Sequence, residues 1–131
     1  MIHHFGSKEN LLRAVLDEFD VRSAARIVDQ LGRGRAGFFE ALLSDAEHTM
    51  RHAGLATLHV VLQAEHLAGE SEVRQRFLTR NRKLRAAIAE IIGADEAVRL
   101  VAFLEGALTV WLLDPETVDL RDLYEGYLRG L

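Results

Sequence analysis

The sequence predicts an all-α protein, and three observations carry that expectation. Only one proline (Pro115) occurs in 131 residues. Alanine and leucine are abundant while β-branched runs are scarce, a balance that favours helix over strand. Apolar residues recur at three- and four-residue intervals in one segment after another, the spacing of a helix face. The expected architecture is a six-helix domain whose last two helices pair with those of a second copy in a four-helix interface.

Each helix has a signature in the chain. Ser7 is placed to cap the first, which runs to about residue 31 with Leu11, Leu12, Val15, Leu16 and Phe19 on one stripe. The glycines of "LGRGRAG" break it near residue 32. A second helix carries Phe38, Phe39, Leu42, Leu43, Ala46 and Met50 on one face and ends at about "RHAG". A third runs from about Leu55 to Ala68, ahead of "GES". Ser71 caps the fourth, where Val73, Phe77, Leu84, Ile88 and Ile91 fall within about 60° of one another on a wheel of 100° per residue. Gly93 stops that helix, as a C-terminal glycine does.

The fifth helix, from about Asp95 to Leu113, differs in kind. Leu100, Val101, Phe103, Leu104, Leu108, Val110, Trp111 and Leu112 cover most of its circumference. Such a helix requires burial from more than one side, and in a chain this short one of those sides is assigned to a partner subunit. After the "DPE" turn, Leu120, Leu123, Tyr124, Tyr127 and Leu128 give a last amphipathic helix. Leu104, Leu108, Trp111, Leu112, Leu123, Tyr124 and Tyr127 are therefore the expected surface of a homodimer.

Composition limits the function. The length suits one domain with a real core. No apolar run approaches the roughly 20 residues of a membrane span, no secretory signal is visible, and the absence of cysteine removes disulfide and thiolate chemistry. A cytoplasmic chain with no membrane partner is expected. The formal net charge of −4 supplies little attraction for nucleic-acid phosphates.

The opening "HHFGSKENLLRAVL" resembles the junction after the recognition helix of TetR-type transcriptional regulators, which typically read "Y-x-H-F-x-[ST/N]-K-[ED]-x-L" there. His4, Phe5, Ser7, Lys8, Glu9 and Leu11 match that pattern. The later "EGALTVWLLDPETVDL" resembles the segment that begins the dimerising helices of the same family. The resemblance implies a TetR-like six-helix ligand-binding domain in residues 7–131, with residues 1–6 the remnant of a recognition helix. Most of the helix-turn-helix of intact members is missing ahead of it, and "MIHHF" is too short to lie in a major groove. The resemblance further implies that His3, His4 and Lys8 touch the DNA backbone in an intact protein; the free N–H groups of a first helical turn favour phosphate there. On a plainer reading, Ser7 only caps a helix and Lys8 is solvated.

The expected function is a ligand-responsive regulator, in the manner of a repressor. Its parts here are mainly the effector-binding and dimerisation regions, with operator DNA a partner of the intact protein alone. The alternative is a stand-alone helical dimer that binds a small molecule or another regulator subunit without DNA.

Polar residues stranded on apolar stripes mark the expected effector pocket. The third helix supplies His59, Gln63 and His66, the fourth Arg80, and the fifth Glu105 and Thr109. Phe39, Met50 and Phe77 are candidates for its apolar wall. A buried unpaired charge is costly, so Arg80 and Glu105 require water, a counter-charge or a ligand. An internal Arg80–Glu105 or histidine–Glu105 pair competes with a ligand site at this point. His48 and His52 have the i,i+4 spacing of a metal-binding pair, but they sit on the flank away from Phe38, Leu42 and Ala46 and read as solvated. No metal or other cofactor is expected. No GxSxG, phosphate-binding glycine loop or HExxH occurs, so no enzyme is expected.

Overall fold

A computed structural model describes residues 10–18 and 33–131. These residues form six helices and no strand: α1 (10–18), α2 (Gly34–Arg51), α3 (Ala53–Glu65), α4 (Glu72–Ile92), α5 (Ala94–Leu113) and α6 (Leu120–Arg129). The all-helical expectation holds. Ser7, Phe19 and the run to residue 31, together with His3, His4 and Lys8, lie outside the described residues.

The helix ends follow local chemistry. Ser71 caps α4 by accepting the Arg74 backbone N–H on its hydroxyl at 3.1 Å. Gly93 adopts φ +91°, a conformation that side chains resist, and serves both as the stop of α4 and the start of α5. Asp95 and Glu96 then occupy the first turn of α5, where the positive end of the helix dipole favours them. Asp119 caps α6 by accepting from the Asp122 N–H at 2.9 Å.

The third helix departs from the expected bounds at both ends. A single residue, His52 (φ −131°, ψ 51°), separates α2 from α3, so Ala53 and Gly54 belong to the helix. The His52 carbonyl collects the N–H groups of Leu55 and Ala56, which lets the turn close without a longer loop. At the far end, His66 leaves helical geometry and its Nδ1 donates to the Leu62 carbonyl at 2.7 Å, so α3 stops at Glu65.

Two cores hold the helices together. The larger joins α2, α4, α5 and α6 around Phe38, Ile88, Leu100 and Leu120, each almost fully shielded. α4 packs most extensively on α5, and α2 on α6. Glu47 of α2 pairs with Arg121 of α6 at 2.7 Å, and the Arg35 guanidinium donates to the Leu131 carbonyl at 2.6 Å. The smaller core sets Leu16 of α1 against Leu62, Val73 and Phe77. Across its edge, Arg13 grips Glu72 through two hydrogen bonds, and Arg76 meets Asp17 at 2.8 Å. The Arg13 guanidinium holds the Glu72 carboxyl below the usual range.

α5 is buried on one side and bare on the other. Ala97, Leu100, Val101, Ala107 and Trp111 face the core. Val98 and Val110 are each 50% exposed and Leu113 81%, and Ala102, Gly106 and Thr109 lie exposed between them. Among the described residues, no helix is long and apolar enough to cross a membrane.

Candidate functional site

A single-residue turn at His52 joins α2 to α3, and a cleft of about 180 Å³ opens among α2–α6. Leu55, Ala56, Leu84, Leu104 and Leu108 form its apolar wall. Its polar lining comes from five of the six helices: Asp45, His48 and Thr49 from α2, His59 from α3, Arg80 from α4, Glu105 from α5 and Tyr124 from α6, with His52 at the turn. Mixed linings of this kind, largely aliphatic with a few converging polar groups, are the ordinary architecture of small-molecule sites.

Each polar group is held by its own element. The His48 and His52 rings stack, with centroids 4.3 Å apart and planes 27° from parallel. The Nδ1 of His52 lies 2.8 Å from the His48 carbonyl oxygen. A carbonyl only accepts, so that nitrogen carries the proton and Nε2 is left free to act. His59 meets Phe77 edge-on at 5.4 Å, which fixes its ring against the smaller core. Glu105 receives the Gln63 side-chain amide at 3.1 Å.

Tyr124 is the most confined polar group of the cleft. It is 5% exposed, and its ring lies 6.0 Å from Phe103 in an edge-on contact. Its side chain lines the cleft. Burial, reinforced by the carboxylates of Asp45 and Glu105, drives its pKa far above the ordinary tyrosine value. The group is therefore a neutral O–H at physiological pH, able to donate and to accept.

The residues expected to form the pocket divide into two sets. His59, Arg80 and Glu105 meet in the cleft, and Gln63 stands behind Glu105. The others are engaged elsewhere. Phe77 belongs to the smaller core, although its edge supports His59. Phe39 and Met50 pack on the larger core, with the Arg35 guanidinium 5.4 Å from the Phe39 ring centre. His66 spends its Nδ1 on α3, and the Thr109 hydroxyl returns to the Glu105 carbonyl at 3.3 Å. Asp45, His48 and His52 went unselected in the sequence because they lie off the apolar stripe of α2. Only the packing of the other helices around α2 brings them to a wall.

The residues expected at a dimer surface also divide. Trp111 and Tyr124 are each 5% exposed, with their side chains committed to the core of this chain. Leu104 and Leu108 line the cleft, and Leu112 and Leu123 are half-buried. Tyr127 stacks on Phe103 at 4.2 Å. The apolar surface that remains uncovered on α5 is the Val98, Ala102, Val110 and Leu113 side.

Among the described residues, no three histidine or acidic side chains converge closely enough to hold a metal ion. The cleft lining sets charged and hydrogen-bonding groups beside an apolar wall. No family model matches the chain, and no solved structure matches it.

Proposed function

We propose that this chain is the effector-binding and dimerisation part of a ligand-responsive transcriptional regulator of the TetR type. The observation that carries the reading is the cleft among α2–α6, in which apolar wall and polar groups from five helices converge on one small volume. The motif "HHFGSKENLL" ties the chain to the family by resemblance, and the order of helices agrees with it.

The mechanism in this reading is a population shift. α1 rests on α3 and α4 through Leu16, Leu62, Val73 and Phe77, and is tied by Arg13–Glu72 and Asp17–Arg76. His59, which lines the cleft, touches Phe77 in that same small core. A ligand that displaces His59 would disturb the seat of α1. In an intact protein α1 would carry the displacement toward the DNA-reading helices of a dimer, by the amount of its differential affinity for the two arrangements. The bare side of α5 provides apolar surface for the second copy, with the α6 edge beside it.

Chromatin immunoprecipitation of the protein from its own cells tests the regulator reading. Enrichment at one or a few promoter sites supports it. A profile indistinguishable from an untagged control overturns it.

A further inference from the structure

We propose that the cleft binds a small organic amine of single-ring size, its ammonium group seated between the Glu105 carboxylate and the Tyr124 hydroxyl. The inference deepens the effector reading above and rests on it.

Four observations converge. The first is size: about 180 Å³ is close to the volume of engineered apolar cavities that accept one benzene ring, so the site takes one ring and a short chain. The second is Glu105. Its carboxylate is part-buried and takes one neutral amide hydrogen, from Gln63. That bond orients the group without neutralising its charge, and a carboxylate offers more acceptor positions than one amide can fill. The third is Tyr124, whose side chain is 5% exposed and lines the same cleft as Glu105. An ammonium group has three donors and no acceptor, which matches a carboxylate and a phenol oxygen in one cleft lining. The fourth is charge. Arg80 brings one fixed positive charge to the lining against two negative ones, Asp45 and Glu105. With neutral imidazoles the cleft holds a single negative excess, which a monocation cancels. The field at the Tyr124 hydroxyl has the same sign, since Asp45 and Glu105 are the charges that raise its pKa.

The aliphatic side fits the rest of such a molecule. Leu55, Leu84, Leu104 and Leu108 stand ready to cover a ring on the face opposite the polar groups. Burying a ring there adds affinity in proportion to its area, whereas the charged head selects among molecules of the same shape.

The test compares three probes of one shape and different charge: phenethylamine, 2-phenylethanol and 3-phenylpropionate. Isothermal titration at pH 8, above the ordinary imidazole range, keeps histidine charge out of the comparison. The wild-type chain is expected to bind the amine at least roughly tenfold more tightly than the alcohol, the scale of one charge-assisted hydrogen bond, and the carboxylate more weakly than either. Glu105→Gln is expected to erase the preference for the amine while leaving the alcohol's affinity in place. That unchanged affinity also certifies that the variant folds. Tyr124→Phe is expected to weaken the amine severalfold. Tightest binding of the carboxylate, or an amine preference untouched by Glu105→Gln, overturns the amine assignment and leaves the effector pocket standing. Failure of all three probes to bind overturns the assignment and the pocket together.

Discussion

Tyr124→Phe is the substitution in which function is expected to move while stability stays nearly fixed. It deletes one oxygen from a side chain that is 5% exposed and leaves the ring against Phe103. The side chain that carries it lines the cleft. Loss of the hydroxyl should therefore change stability by less than about 1 kcal/mol, while affinity for the amine falls severalfold. Urea unfolding monitored by circular dichroism checks this, with an unchanged m-value required for the comparison.

The same residue sets an alkaline signature. The folded pKa is raised, so above about pH 10 the unfolded state binds fewer protons than the native one, and stability falls as pH rises through that value. The slope from this group reaches about 1.4 kcal/mol per pH unit and is absent from the phenylalanine variant. A variant destabilised by about 2 kcal/mol or more, or one that keeps the wild-type alkaline slope, would refute the account of Tyr124 as a shielded, cleft-lining phenol.

Other substitutions probe the frame around the cleft. Ile88→Ala empties a fully shielded position where α4 meets the main core, and should cost about 2–5 kcal/mol in chemical denaturation. Ser71→Ala removes the acceptor of the Arg74 N–H and should cost about 1 kcal/mol, with amide exchange accelerated in the first turn of α4. Val98→Asp places a charge on the bare side of α5. It should leave unfolding free energy at low concentration within about 0.5 kcal/mol while converting a dimer to a monomer by light scattering. A wild-type chain already monomeric at micromolar concentration would remove the dimer from the proposal.

What could be read from the sequence was what one helix reveals by itself. The period of Val73, Phe77, Leu84 and Ile88 fixed the inner face of α4. Ser71 and Gly93 gave its ends because each acts on the backbone within a turn of its own position. The ends of α3 were less legible: the His52 turn uses no glycine or proline, and the His66 ring caps its own helix.

The cleft was partly visible for a related reason. Arg80 and Glu105 stood out as charges on apolar stripes, which is a one-helix signal, and both line it. His48, His52 and Asp45 carry no such signal. They sit on a flank of α2 that becomes a wall only when the other helices pack around it, and helical periodicity says nothing about the angle between helices. Tyr124 and Trp111 show the converse. Their spacing identified an apolar face correctly, but spacing does not distinguish a face buried in its own core from one buried against a partner, and both turned inward.

The central claim is that the cleft is where a small molecule binds. Methyl-labelled NMR of the whole chain, titrated with phenethylamine and 2-phenylethanol, tests it most directly. The account predicts saturable shifts that start at the methyls of Leu55, Leu84, Leu104 and Leu108 and fade with distance from the cleft. Shifts confined to Val98, Val110 and Leu113 on the bare side of α5, with the four cleft leucines unmoved, would contradict it.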